Sequence, residues 1–148
     1  MFKKQLIFSL MLLPILVHAK SPGCAAIGLF MESTLFNALS NELKIDTSTV
    51  DETKAKVELI DISPVSKIYA ESLAKIDYAK DHSKDKTLAI YKKIYLSSYF
   101  ENDVKTITAK YTYINKDAKK DVFIASSLMN KDECSIRFNG YIILSRQF

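Results

Sequence analysis

Residues 104–114 read VKTITAKYTYI, and this stretch decides the fold class of the chain. Four apolar or aromatic residues alternate strictly with threonine and lysine and therefore share one face: Ile107, Ala109, Tyr111 and Tyr113. Such alternation of β-branched and aromatic residues is typical of a strand with one buried and one polar face. Antiparallel sheets commonly show this one-sided pattern, so the segment predicts an antiparallel sheet packed on a core.

Further strand and turn signals continue from this stretch to the C-terminus. Polar turns separate the apolar runs, and we predict strands over residues 121–129, 134–138 and 141–144. Asn139-Gly140 stands between the last two runs, where an Asn-Gly pair is a strong signal for a two-residue hairpin. The C-terminal half is therefore predicted to be an antiparallel meander.

The part of the chain that precedes residue 104 is dominated by helical spacing. From Cys24 to Leu43 the apolar residues recur at steps of three and four, which predicts a long first helix with one apolar face: Ile27, Phe30 or Met31, Leu35, Leu39 and Leu43. Residues 56–62 (KVELIDI) follow a polar loop and predict a short strand.

The middle of the chain predicts two further helices. Ser63 is a typical N-cap followed by Pro64 at the first helical position, and apolar residues then recur at helical steps as far as Ala79. A strand over residues 68–78 is the alternative, because apolar residues also alternate there. A third helix is predicted over residues 86–100. Together these segments predict an α+β fold, with a long N-terminal helix and one or two further helices packed on one face of a C-terminal antiparallel β-meander.

The first 19 residues have the three-part organisation of a secretory signal peptide. Two lysines precede an apolar run, and Val17-His18-Ala19 places small or branched residues at the −3 and −1 positions of a cleavage site. Cleavage is predicted between Ala19 and Lys20, which leaves residues 20–148 as a single compact domain. The apolar run is shorter than the about 20 residues that a membrane-spanning helix needs, so we expect no stable membrane insertion after cleavage.

An uncleaved N-terminal anchor and a lipoprotein that begins at Cys24 are the alternatives to soluble export. Ser21-Pro22-Gly23, however, lacks the leucine-like residue that a lipobox normally has three positions before its cysteine. We therefore expect a periplasmic protein, with release from the cell left open.

The charge balance of the mature chain gives no sign of a nucleic-acid partner. Removal of the signal peptide leaves 19 basic and 17 acidic residues, so the formal net charge is about +2. Only Arg137 and Arg146 are arginines, the side chain that most often recognises phosphates and bases. Nucleic-acid binding is not expected.

Cys24 and Cys134 are the only cysteines, and both lie in the mature part of the chain. An even number of cysteines in an exported protein favours a disulfide, which would close a loop of about 110 residues. Two free thiols or an intermolecular bridge are the alternatives. A redox role is not expected, because redox cysteines usually lie close together, as in Cys-X-X-Cys.

The remaining residues offer little for catalysis or for a cofactor. His82 is the only histidine of the mature chain, and it lies in a charged turn without a nucleophile elbow or further zinc ligands. The carboxylates that an enzyme could pair lie on or beside the predicted helices: Glu32, Glu42, Asp77, Asp81 and Asp85. The three aspartates are interleaved with lysines, a pattern typical of a solvated helix end. We expect no enzyme, no metal and no cofactor.

Tyrosine is the most suggestive residue type, and all eight tyrosines lie in the mature part of the chain. Tyrosine supplies a large contact area and is enriched at protein interfaces. Tyr91, Tyr95 and Tyr99 form a stripe on the predicted third helix and are the candidate interface residues. Tyr111 and Tyr113 lie on the apolar face of their strand and are expected in the core.

The positions of the cysteines carry a resemblance to a known family. Pro22-Gly23-Cys24 leads into the first helix, and Cys134 lies among the last strands. This layout resembles the colicin M immunity protein and its secreted relatives, and the resemblance implies a helix on an antiparallel sheet closed by one such bridge. The present chain is longer by the segment around residues 64–100.

These observations predict a non-enzymatic periplasmic protein that binds one protein partner. The most concrete version is an immunity or inhibitor protein that occludes a toxin or hydrolase. The alternative is an accessory subunit in the assembly of a pilus, secretion system or other envelope machine, with envelope-assembly components as partners. A hydrolase is a third class, which substitutions of Glu32, Glu42 and His82 would test.

Overall fold

The computed structural model describes residues 21–83 and 85–148. The predicted signal peptide and its cleavage site between Ala19 and Lys20 lie outside the described residues. The helices are α1 (Phe30–Asn41), α2 (Lys67–Lys80) and α3 (Leu88–Tyr95), and α3 continues as a π-helical turn over Leu96–Phe100. The strands are β1 (Lys56–Pro64), β2 (Lys105–Ile114), β3 (Lys120–Met129) and β4 (Arg137–Ser145).

The four strands form one antiparallel sheet in the order β1-β2-β3-β4. A short turn joins β2 to β3, whereas the chain between β1 and β2 forms α2 and α3. The α+β fold class predicted from the sequence is confirmed, as are the strands predicted over residues 104–114 and 121–129. The strand predicted at residues 56–62 is also present and lies at one edge of the sheet.

The main core lies between α1 and one face of the sheet. The apolar face of β2 is buried as its alternation predicts, and it packs with the buried side of α1: Met31, Leu35, Leu39, Ile107, Ala109, Tyr111 and Tyr113. Burial of a large apolar side chain contributes about 1.5–3 kcal/mol to folding. The buried Tyr111 hydroxyl has a hydrogen-bond partner in this core, because it donates to the backbone oxygen of Ala25 at 2.6 Å.

A second core forms on the opposite face, at one end of the sheet. Leu128 follows Ser127 on β3, so its side chain points away from α1. It is fully buried in a cluster with α2 and the segments that flank it: Val65, Ala70, Leu73 and Val104. The expectation that all helices share one face is therefore wrong. The helical hairpin of α2 and α3 packs against the face that α1 leaves open.

The predicted disulfide between Cys24 and Cys134 is present, with 5.3 Å between the two Cα atoms. Cys24 lies in a 3₁₀ turn before α1, and Cys134 lies in the connection between β3 and β4. The bridge therefore ties the segment that leads into α1 to the segment that leads into the last strand.

Three predicted helix features need correction. The first helix begins at Phe30, six residues later than Cys24, because the chain first forms the 3₁₀ turn and then passes Gly28 at a φ of +83°. Ser63-Pro64 does not cap α2, because β1 pairs as far as Pro64 and the N-cap is Ser66, which accepts from the Tyr69 N–H. The alternative strand over residues 68–78 is wrong, since α2 covers all of it.

The Asn139-Gly140 hairpin and the two short strands beside it are also corrected. One continuous strand, β4, runs through both residues. Ser126 pairs with Gly140 and Ser127 pairs with Phe138, so Asn139 is an extra residue in a β-bulge. Gly140 has a φ of +101°, a conformation that glycine adopts without strain. The same dipeptide that serves hairpin turns therefore bends an edge strand here.

Candidate functional site

The free edge of β4 is the least protected part of the sheet. β4 pairs only with β3, and its other side has no strand beside it in the part of the chain that the structure describes. The eight residues 138–145 include no charged side chain. Ile142, Ile143 and Leu144 are 61%, 43% and 55% exposed. An edge strand of this kind presents unpaired backbone donors and acceptors together with apolar side chains.

The opposite edge, β1, carries the features that block strand pairing. Lys56, Glu58 and Asp61 place charges along it, and a bulge at Ile60 interrupts its ladder with β2. β1 also ends at a proline, Pro64. Natural sheets use charges, bulges and prolines on their edge strands to prevent edge-to-edge association. β4 also has bulges, at Asn139 and Leu144, so the two edges differ in their charge and in the terminal proline of β1.

A groove of about 750 Å³ runs along β4, between the ends of two helices. Glu42 at the end of α1 and Lys80 at the end of α2 line it from opposite faces of the sheet. Glu42 is held in place because its Oε2 atom accepts from the Tyr141 hydroxyl at 2.8 Å. The groove therefore has β4 as its floor, and its lining includes one acidic side chain, Glu42, and two basic ones, Lys80 and Arg137.

The bulge places an unpaired amide in this groove. The side-chain oxygen and nitrogen of Asn139 are both buried, and neither has a hydrogen-bond partner among the described residues. A buried amide without partners costs about 1–3 kcal/mol. Asn139 lines this groove and also a smaller cavity on the outer face, where Ile142 lies opposite Ile124. The amide is therefore enclosed by the bulge, and its missing hydrogen bonds are a local cost of the bend in β4.

An ion pair fixes α2 beside β4. Arg137, the first residue of β4, donates to both carboxylate oxygens of Asp77 on α2, with 3.0 Å between Nη2 and Oδ1. The Tyr95 hydroxyl of α3 donates to the same carboxylate. The hydrogen bonds from Arg137, and to a smaller extent from Tyr95, hold the pKa of Asp77 below its ordinary value of 3.8. This junction positions one wall of the groove.

The predicted tyrosine stripe lies on the side of α3 that faces α2. Tyr91, Tyr95 and Tyr99 are half-buried, and their rings follow one another at centroid distances of 6.1 Å and 5.1 Å. The Tyr91 hydroxyl donates to Asp81, and this bond is the main reason that the pKa of Asp81 falls to about 2. The stripe joins the two helices of the hairpin, and its role at an interface with a partner stays a prediction.

The structure does not bring the candidate catalytic carboxylates together. Glu32 and Glu42 lie ten residues apart on α1, which separates their backbones by about 15 Å. Glu32 is buried and accepts from Tyr113, whereas Glu42 lies at the β4 groove. His82 is exposed in the turn after α2. Within residues 21–83 and 85–148, no group of three or more His, Cys, Asp or Glu side chains could hold a metal ion.

Three residues of the groove were missed by the sequence analysis. Ile142 looked like one apolar residue of an ordinary returning strand, and Asn139 looked like part of a turn. Arg137 was noted only because arginine is rare in the chain. The absence of charge over residues 138–145 was the available signal, and it points to an edge only once the strand order is known.

The chain matches no protein-family model, no curated protein and no solved structure. Among the described helices, none combines the length and the apolar character required to cross a membrane.

Proposed function

We propose that this chain is a non-enzymatic protein of the periplasm that binds an extended segment of one protein partner along β4. Its most concrete form is an immunity or inhibitor protein that occludes a toxin or a hydrolase. The observation that carries the proposal is the contrast between the two sheet edges. β1 is charged and ends at a proline, whereas β4 has no charged side chain over residues 138–145 and exposes apolar side chains over residues 142–144.

Strand addition would supply both affinity and specificity at this edge. Backbone hydrogen bonds to β4 provide affinity, and pockets for alternate side chains provide specificity. Ile142 would contact an apolar side chain of the partner, because it is exposed on this edge. A segment held between Glu42 and Lys80 would be withdrawn from its own active site or receptor, which is how occlusion would act.

The export features of the chain support a periplasmic location for this binding. The N-terminus has the sequence organisation of a signal peptide, and the disulfide between Cys24 and Cys134 suits an oxidising compartment. A small domain with a structural bridge and an open sheet edge needs no catalytic group to inhibit a partner.

A matched pair of variants tests the proposal. Ile142→Lys places a charge on the β4 edge, and Ile60→Lys places the same charge on β1, where the original side chain is 53% exposed against 61% for Ile142. Each protein, with its signal intact and a C-terminal tag on a flexible linker, is recovered from the periplasm, and the co-purifying proteins are identified. We expect one near-stoichiometric toxin or hydrolase with the wild type and with I60K, and none with I142K.

The recovered partner then decides between inhibition and mere association. The purified wild-type chain should inhibit the activity of that partner, and I142K should have lost at least nine-tenths of the inhibition. A cell that keeps the toxin but lacks this chain should be killed. Survival of that cell, or full binding by a folded I142K, would overturn the proposal.

The second candidate function is the accessory subunit of an envelope assembly. It is favoured by one observation, namely that β1 also exposes apolar side chains despite its charges, with Ile60 53% and Ile62 41% exposed, so that a second subunit could contact this edge. In that case several envelope components should co-purify, and both I60K and I142K should reduce their recovery.

A further inference from the structure

A second cavity, of about 300 Å³, lies away from the β4 groove. It is formed by the start of α1, the 3₁₀ turn Glu52–Lys54 and the end of β2. Phe36 and Tyr113 form part of its wall, with 5.6 Å between their ring centroids. Ile27 adds an apolar side chain, which is 39% exposed. Ser33 and Asn37 also line the cavity, which therefore has both apolar and polar walls, and its volume suits a small organic molecule.

A buried carboxylate belongs to this cavity. Glu32 is only 7% exposed, and its two oxygens each accept one hydrogen bond. The Tyr113 hydroxyl donates to Oε1 at 2.9 Å, and the Gly28 N–H donates to Oε2 at 3.1 Å. An ionised carboxylate has about four acceptor sites, so these two donors leave acceptor capacity for a ligand.

Glu32 has no cationic partner in the part of the chain that the structure describes. Among the described residues that line the cavity there is no lysine or arginine, and Glu32 forms no salt bridge with any described residue. The N-terminus of α1 favours a negative charge at this position, but its partial charge does not neutralise a carboxylate. A buried ion without a counter-ion is costly, so the site favours a ligand that brings a positive charge.

The rest of the cavity also selects for a cation. Glu52 lies on the same lining and adds a second negative charge, which attracts cations and repels anions. Phe36 is half-buried on the lining, and an aromatic ring attracts an ammonium group within about 6 Å of its centre. Apolar walls next to a carboxylate are complementary to an ammonium group on a short hydrocarbon chain.

We propose that this cavity binds a small alkylammonium ion, with the ammonium on Glu32 and the hydrocarbon chain against Phe36 and Ile27. The site is independent of the β4 groove and of the function proposed for it. The nitrogen donates to the free acceptor positions of the Glu32 carboxylate, and Tyr113 and Gly28 keep that carboxylate oriented. An alcohol of the same length lacks the charge, and a carboxylate of the same length is repelled.

The test is a titration of the oxidised wild-type chain with n-butylammonium. Binding is monitored by the amide chemical shifts in NMR spectra. We expect saturable shifts centred on Gly28, Glu32 and Phe36, and at least tenfold weaker binding of 1-butanol at the same ionic strength. Butyrate should give no saturable shifts there. Equal binding of butylammonium and 1-butanol, or no saturation by butylammonium at millimolar concentrations, would overturn the proposal.

A pair of carboxylate variants supplies the control. Glu32→Gln removes the charge but keeps an acceptor for Tyr113, and it should weaken butylammonium binding at least tenfold. Glu101→Gln changes an exposed carboxylate outside the cavity and should leave the affinity unchanged. Wild-type affinity in a folded E32Q would contradict the role of Glu32. If E32Q fails to fold, the comparison of butylammonium with 1-butanol on the wild type still tests whether the cavity prefers a cation.

Discussion

Asp77 joins three elements of the molecule through one carboxylate. It lies on α2, accepts from Arg137 at the start of β4, and accepts from Tyr95 on α3. The side chains of Asp77 and Arg137 are each 23% exposed, so the pair is partly shielded from solvent. Partial burial makes the hydrogen bonds stronger than those of a surface ion pair, whose contribution is about 0–1 kcal/mol. The position of α2 against the sheet depends on this residue.

Asp77→Asn should lower the free energy of unfolding by about 1–2 kcal/mol at pH 7, because Arg137 loses its charged partner. The pKa of Asp77 is lowered in the folded protein, so the carboxylate stabilises the fold above its ordinary pKa of 3.8. That contribution disappears as the pH falls through the lower, folded value. Urea unfolding should therefore show a large difference between wild type and D77N at pH 7 and a much smaller one near pH 2.

Asp85→Asn is the matched control for this prediction. Asp85 is exposed in the turn before α3 and forms no salt bridge among the described residues. Its substitution should change the free energy of unfolding by less than about 0.5 kcal/mol. An effect of D85N as large as that of D77N would show that general charge, rather than the Arg137 pair, is responsible.

The residue scale is also where the sequence was least informative. The lysines around Asp77 and Asp81 are typical of a solvated helix end. The partner of Asp77 is Arg137, 60 residues away, and no local pattern predicts such a pair. The inward positions of Tyr111 and Tyr113 were predicted correctly, since strand alternation is a local property.

At the scale of elements, Asn139-Gly140 shows how one local signal fits two structures. Hairpin turns and bulges both use a residue with positive φ, and glycine supplies it in either case. β4 is long enough to pair with β3 on both sides of the dipeptide, from Arg137 to Ser145. The longer ladder retains more backbone hydrogen bonds than two short strands would, so the chain bends at the bulge instead of turning back.

Gly140→Ala should destabilise the fold by about 1–2 kcal/mol, because an L-residue at a φ of +101° is strained. Lack of space is not the reason, since a Cβ atom at Gly140 would have no neighbour within 4 Å. Ser126→Ala, at the residue that pairs with Gly140 on β3, is the control and should cost less. Thermal unfolding measures both variants. Equal stability of G140A and the wild type would contradict the strain at this position.

Helix α2 illustrates what periodicity can and cannot predict. Apolar residues at steps of three and four correctly predict a helix. They only partly predict which face of the helix is buried. Ile68 and Ile76 are 80% and 48% exposed, whereas Ala70 and Ala74 are fully buried. Small residues lie at the contact because they let α2 approach its neighbours closely, and their low hydrophobicity hid that face in the sequence.

At the scale of the whole molecule, the groove results from helices on both faces of one sheet. α1 covers one face and the α2–α3 hairpin covers one end of the other, and the two helix ends meet at β4. The fold class and both central strands, β2 and β3, followed from local alternation and spacing. The groove could not be predicted, because it depends on the strand order and on which face each helix covers, and both are set by contacts between distant residues.

The disulfide acts on the whole molecule, because it joins residues 110 positions apart. In the chain-entropy model a loop of that length stabilises the fold by about 4–5 kcal/mol through its effect on the unfolded state. The stability of a domain of this size is about 5–15 kcal/mol in total, so the bridge is a large part of it. The Cys24→Ser, Cys134→Ser double variant should therefore unfold at a much lower urea concentration than the oxidised wild type.

Reductant separates the effect of the bridge from the effect of the serine side chains. Reduced wild type should unfold at nearly the same urea concentration as the double variant, and reductant should not change the double variant. The slope of the wild-type transition should also rise on reduction, because an unfolded chain without the bridge is more expanded and exposes more surface. If reduction left the wild-type midpoint unchanged, the α1 core and the Asp77 junction alone would be holding the segments before α1 and β4 in place.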